Sequence, residues 1–280
     1  MPEYGKMNQL TVMRVTDVGL FLDGEDLGDI LLPRRYAKRE WEAGEVVDVF
    51  LMRDSDDRPL ATTLTPYAMV GDFACLRVVA VAEVGSFMDW GLPKDLFVPF
   101  REQKMKMLEG RSYVVRVYVD KASGRIAASS RLERYLDKTT SAFKIGQPVS
   151  LMISEKSDLG YKAIINNTHS GMLFYEKVVL PLELGQCLDA FIEQVREDGK
   201  INLSLAKPGY DSVADVSTAI LAYLDTQDGL MTVTDKSSRQ EIFTLFGVSK
   251  KTYKKALGAL YKARKIAFEE EGVKRLDPPK

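Results

Sequence analysis

Lys250, Lys251, Lys254, Lys255, Lys262 and Lys265 recur at spacings that gather them on one side of a helix, and Tyr253, Ala256, Leu257, Leu260 and Tyr261 gather on the other. A stripe of that kind attracts polyanions; its plainer reading is the solvated face of a protein-interaction domain. Gly258 falls on the basic side, where it costs the helix about 1 kcal/mol relative to alanine and lets another backbone approach closely. Two further clusters could hold phosphates: Arg34, Arg35, Lys38 and Arg39 in PRRYAKRE, and Arg101, Lys104 and Lys106 in FREQKMKM. Residues for catalysis do not assemble in the same way. There is no phosphate-cradling glycine loop, no Cys/His metal spacing and no histidine paired with a nucleophile, so neither enzymatic activity nor a cofactor is expected. Cys75 and Cys187 sit just inside strand-like runs and are expected to be buried reduced thiols.

The elements that carry these clusters are announced by glycines. Gly19 and Gly44, Gly85 and Gly110, and Gly160 and Gly185 are each 25 residues apart, the first of each pair lying in an apolar run and the second opening another. The flanking text also rhymes, as VGLFL, VGSFM and LGYKA, then DDRPLATTL, SGRIAASSR and DGKINLSLA. One small β module copied three times accounts for this pattern. In the second copy, FACLRVVAVAEV, FMDWG, LFVP, YVVRVYVD and RIAASS give five strands, the strand count of an oligonucleotide-binding barrel. A helical insert is expected after each third strand, in RRYAKREWEA, FREQKMKML and FYEKVVLPLE.

Charge is distributed unevenly among the copies. The chain of 280 residues carries 39 basic and 40 acidic residues, so any polyanion surface must be a local patch. Residues 1–66 hold 8 basic and 13 acidic side chains, whereas residues 67–138 hold 12 and 9. The opening MPEYGKMNQL lacks an apolar core, and no run of eighteen apolar residues occurs, which predicts a soluble, cytoplasmic protein without a membrane partner.

The pattern V-x-x-V-G-x-F, an apolar strand ending near proline, G-x-x-V-x-V-x-V-x-x-D and G-[RK]-I-x-x-S resembles the ribosomal S-one RNA-binding domain. VGSFMDW, GRSYVVRVYVDKASGRIAASS and GQCLDAFIEQVREDGKINLSL carry the resemblance most clearly. It implies single-stranded RNA held on the second and third strands, with rings stacking on bases and basic groups on phosphates. The corresponding second-strand positions are Phe21, Phe87 with Trp90, and Tyr161; on the third strand they are Phe97 and Phe174. Arg125, in the G-[RK]-I element, joins the basic set. Alternation offers a competing role as core, and Asp89 marks Phe87 rather than Trp90 as facing solvent. The S-one pattern places a histidine after the third strand, where this chain has ILLPRR, LFVPFR and MLFYEK. Its one histidine, His169, lies ahead of that strand and is expected to be a loop side chain bonded to nearby backbone.

After KPGY the apolar period lengthens from two to about three and a half. Asp211 is the expected cap of a helix carrying Val213, Val216, Ile220, Leu221 and Leu224. GLMTVTDKSS gives a short strand and a turn, Ser238 caps a second helix ended by Gly247, and Ser249 caps the lysine-striped third. KIAFEEEGVKRL supplies two short strands, the wing of a winged helix. Three S-one-like barrels followed by TDKSS, FGVSKKTYKKALGALYK and that wing resemble the bacterial conserved virulence factor B family. The resemblance implies an RNA-binding regulator of gene expression. Adjacency adds Tyr161, Lys162, Phe174, Tyr175, Lys177 and Lys200 of the third barrel to the lysines of the last helix.

The fold expected is mainly β with a smaller α/β part. Residues 1–66, 67–138 and 139–209 form three oligonucleotide-binding barrels, and 210–280 form a winged helix-turn-helix domain. The expected partner is single-stranded RNA, with messenger RNA as the class. Duplex DNA bound by the winged helix, or a protein partner, remains the alternative.

Overall fold

The computed structural model describes residues 1–139, 143–178, 181–206, 213–270 and 272–276, which form two compact units, 1–135 and 136–280. The fold is mainly β, as the glycine pairs predict. In the first unit β1 (Met7–Val15), β2 (Gly19–Asp23), β3 (Asp29–Pro33), β4 (Val46–Arg53) and β5 (Pro59–Thr62) close a barrel in the order β1-β2-β3-β5-β4. β6 (Phe73–Ala82), β7 (Gly85–Asp89), β8 (Leu96–Pro99), β9 (Ser112–Val119) and β10 (Ile126–Ser129) repeat the plan as a sheet in the order β10-β9-β6-β7-β8. Its two edges, β8 and β10, lie against each other. In the second unit β11 (Pro148–Lys156), β12 (Gly160–Ile165), β13 (His169–Phe174), β14 (Cys187–Val195) and β15 (Ile201–Ser204) close a barrel of the same order as the first.

The repeated glycines have a steric cause. Gly19, Gly85 and Gly160 open the second strands opposite the last residues of the third, pairing with Pro33, Pro99 and Phe174. A Cβ there would stand 2.3, 2.4 and 2.2 Å from the carbonyl oxygens of Leu32, Val98 and Leu173. The first strand of each copy also shifts register at one place, between Val12 and Arg14, Val78 and Ala80, and Ile153 and Glu155. Such a bulge sharpens the local twist of the strand. Alternation then fills each barrel, with Leu20, Leu22, Ile30 and Leu32 buried in the first and Met88, Leu96 and Val98 in the second.

The first two barrels share core. Phe50 and Met52 of β4 pack in the same cluster as Val78, Met88, Trp90 and Val98, and Phe50 meets Trp90 edge to face with centroids 5.6 Å apart. Trp90 is 4% exposed, and its Nε1–H donates to the Lys94 carbonyl at 2.7 Å.

The expected helical inserts are corrected. Among the described residues each holds one 3-10 turn: Arg34–Tyr36, Phe100–Glu102 and Tyr175–Lys177. In the second copy the buried Gln103 side chain accepts from the Met107 N–H and donates to Ser86 Oγ and Val98 O. Those bonds hold an irregular segment that helical bonds would otherwise hold. The cysteines are corrected as well. Cys75 is half-buried and Cys187 exposed, both free thiols, because each stands at an outward step of its strand.

The last domain comprises α1 (Val213–Thr226), β16 (Leu230–Met231), α2 (Arg239–Phe246), α3 (Lys250–Lys262), β17 (Ile266–Glu269) and β18 (Gly272–Arg275), its strands ordered β16-β18-β17. Val216, Ile220 and Leu224 bury the inner face of α1; Asp211, its expected cap, lies outside the described residues. Ser238 caps α2 by accepting from Glu241 N, and Gly247 ends it with φ 67°. Ser249 caps α3 by accepting from Thr252 N. Among the described residues no helix is long and apolar enough to cross a membrane.

Candidate nucleic-acid interface

Strand alternation sets which rings reach solvent. Counting from Gly85, Ser86 and Met88 point inward, and Phe87 and Asp89 point out. Phe87 lies directly opposite Phe97 in the β7–β8 ladder, and the two half-buried rings stand 5.2 Å apart with planes tilted by 37°. Both line a groove of about 970 Å³, together with Lys94, Phe100, Arg101, Asp120 and Arg125. Arg101 comes from the 3-10 turn that follows β8, and Arg125 from the turn that leads into β10. Met52 and Arg53, on the β4 strand of the first barrel, and the acidic Asp95 are also in the lining.

Both arginines have acidic neighbours. Arg101 Nη2 is 3.6 Å from Asp120, while Arg125 Nε is 2.8 Å from Asp57 and its Nη2 donates to the Ser55 carbonyl. The hydrogen bond from Arg125 holds the Asp57 carboxyl below the usual carboxylate range, and the same bond raises Arg125. Both partners are about half exposed, so solvent screens the pair and a ligand phosphate can compete for the guanidinium. Lys104 and Lys106, the other cations of the FREQKMKM cluster, are exposed but do not line the groove.

The first barrel covers its corresponding surface with its own side chains. The Arg14 guanidinium lies 4.2 Å over the Phe21 ring and pairs with Asp29. Its basic cluster is also used internally, since Arg34 Nε donates to Thr16 O and Arg39 lies 3.6 Å over Trp41 while pairing with Glu45.

The third barrel corrects one residue. Tyr161 is 3% exposed, edge-on to Tyr175, and its hydroxyl accepts from Leu182 N. Counted from Gly160, Tyr161 takes the inward step of Ser86, and Lys162 takes the outward step of Phe87. Phe174 shares the outer side with Met172, and it is Met172 that faces Lys162 across the ladder. The lysines here are neutralised locally: Lys162 by Glu155 at 3.2 Å, Lys177 by Glu193 at 2.7 Å and Lys200 by Asp198 at 2.9 Å. The Tyr175 hydroxyl donates to Ser157 O. His169 is corrected: it is the first residue of β13 rather than a loop side chain ahead of it, and it reaches backbone 30 residues away. Its Nε2–H donates to Thr139 O at 2.7 Å, Nδ1 accepts from Thr168 Oγ1 at 2.8 Å, and Phe143 meets the ring edge-on.

In α3, Tyr253, Ala256, Leu257 and Leu260 are buried as expected, whereas Tyr261 is 56% exposed. Lys251, Lys254, Lys255 and Lys262 are exposed; Lys254 pairs with Asp235 at 3.3 Å. Lys250 is corrected: its Nζ donates to the carbonyls of Lys236 and Ser237, so it ties down the turn before α2 instead of facing outward. Gly258 stands among the outward lysines, with nothing within 4 Å of a Cβ built there. Sequence reasoning missed Lys94, Phe100 and Arg53 in the groove. Phe100 was within reach, as the neighbour of Arg101, but Arg53 belongs to another repeat.

Barrels with an aromatic and arginine-lined groove, followed by a winged helix with a lysine face, define a multidomain protein built from nucleic-acid-binding domain types. Residues 4–64 match the S1 domain family and residues 218–274 the CvfB-like winged helix domain family. The Bacillus subtilis (strain 168) protein YitL is 30% identical over 284 residues, which cover 96% of this chain and 92% of YitL. Conserved virulence factor B of Staphylococcus aureus (strain USA300) is 25% identical over 263 residues, covering 85% and 84%. A crystal structure from Streptococcus pneumoniae, described as a multidomain protein with nucleic acid binding domains, shares 26% identity over 98% of both chains, with a TM-score of 0.41. The chain belongs to the conserved virulence factor B family. Neither matched domain family is a family of enzymes.

Proposed function

We propose that this protein binds single-stranded RNA and acts on messenger RNA as a post-transcriptional regulator, without catalysis of its own. The observation that carries the reading is the groove of the second barrel, which the Phe87–Phe97 pair lines together with Arg101 and Arg125. Rings at that spacing offer faces to unstacked bases, and guanidinium groups beside them hold the intervening phosphates. The exposed lysines of α3 supply a second cationic surface, and engaging both on one strand multiplies affinity through effective concentration. Contact with about 4 to 6 phosphates gives a slope of log affinity against log salt of about −3 to −4. Titration of the full chain with a labelled single-stranded RNA at several salt concentrations measures it. A flat salt dependence, or no binding at low salt, overturns the reading.

The lysine face of a winged helix also favours a second reading, a transcription regulator bound to duplex DNA. Competition separates the two. Duplex DNA displacing RNA, with charge reversal at Lys251, Lys254 and Lys255 abolishing DNA binding alone, selects the second.

A further inference from the structure

We propose that Tyr261 and Phe268 form a base-stacking site on the winged helix, which holds an unpaired base of single-stranded RNA whose backbone runs along the lysines of α3. The proposal rests on the RNA-binding reading above and assigns a contact outside the barrels. Tyr261 comes from the last turn of α3 and Phe268 from the wing strand β17. Their ring centroids are 5.4 Å apart with planes tilted by 45°, and the residues stay 56% and 46% exposed. The domain does not need them as core, because α3 packs inward through Tyr253, Ala256, Leu257 and Leu260.

Helix geometry fixes what surrounds the rings. At 100° per residue, Lys251, Gly258 and Lys262 fall within about 40° of one another, with Lys255 on one flank and Lys254 and Tyr261 on the other. The aromatic pair therefore borders a cationic strip whose middle has no side chain, and a Cβ at Gly258 would meet nothing within 4 Å. A sugar–phosphate chain can approach closely along that strip. A base on the Tyr261 side then reaches the two rings.

The chemistry selects a single strand over a duplex. Paired bases stack on one another and expose only their edges in the grooves, so against a duplex the rings would meet sugars and phosphates. An unpaired base offers a π face, and the area it covers is the apolar area now left in water. The lysines beside the rings match a phosphate chain and repel a second copy of the same face.

The test uses the full chain, binding by anisotropy to a twelve-nucleotide oligoadenosine RNA, its abasic analogue of equal charge, and an RNA duplex. The Tyr261→Ala/Phe268→Ala double variant is expected to lose about tenfold in affinity for oligoadenosine. It keeps wild-type affinity for the abasic strand, its salt slope and its melting temperature, and Tyr261→Phe retains binding. A second variant, Lys251→Ala/Lys255→Ala/Lys262→Ala, is expected to weaken all three probes and flatten the salt slope. Undiminished binding of oligoadenosine by the aromatic variant overturns the stacking site alone, as does an equal loss on the abasic strand. Loss of a protein contact or of self-association with RNA binding intact assigns the rings to a protein partner and likewise overturns it. Failure of the wild-type chain to bind either single strand overturns the functional reading as well.

Discussion

Phe87 and Phe97 stand in register on adjacent strands, so each ring limits the rotamers of the other, and under the proposed function a base would meet a surface already in place. Truncating either to alanine is expected to weaken single-stranded RNA binding about 5- to 100-fold without changing the salt slope, as anisotropy titrations would show. Arg125 reports the opposite balance. Its bond to Asp57 keeps that carboxyl ionised below the usual range, so the pair is intact at neutral pH and is lost only as acid protonates Asp57. Asp57→Asn removes the competing anion and is expected to raise RNA affinity on the order of a fewfold at pH 7, an effect that fades in high salt. At this scale the sequence was partly readable. Asp89 beside Phe87 told which ring faces out, and the same count of two from Gly160 leads to Lys162. Tyr161 misled because an aromatic next to the marker glycine matches the motif in type but not in phase.

Glycines argue for opposite effects in different elements. Gly85 leaves no room for a methyl group, since the Val98 carbonyl occupies its Cβ direction, and Gly85→Ala is expected to cost about 2 kcal/mol or more in denaturant unfolding. Gly258 leaves ample room. Gly258→Ala is expected to stabilise the winged helix by about 1 kcal/mol while weakening RNA binding, a divergence that calorimetry and titration together would detect. Helix caps, strand order and the wing could be read locally, because Ser238, Gly247 and Ser249 each act on residues within one turn. The connections after the third strands could not. Their charged residues follow helical spacing, yet in the second copy the backbone is held by Gln103, a buried side chain that reaches the second and third strands.

Across the first unit, the proposed groove and the hydrophobic core both draw on the same two barrels. The groove draws Met52 and Arg53 from one barrel and its rings from the next, and Arg125 reaches back 68 residues to Asp57. A site assembled over that separation has no signature in any one repeat, which is why the motifs located the rings and missed Arg53. Trp90→Ala, which empties the shared core against Phe50, is expected to cost about 3–5 kcal/mol and to lower the unfolding transition of both barrels together. Two separated transitions in calorimetry of that variant would contradict the shared core. In the second unit the sole histidine ties Thr139 to the third barrel. A single imidazole gives the protein a built-in spectroscopic label: its ring protons are the only ones of their kind in the spectrum, and their shifts on adding RNA would report, without any chemical tagging, whether occupancy of distant surfaces is felt where the chain enters the third barrel.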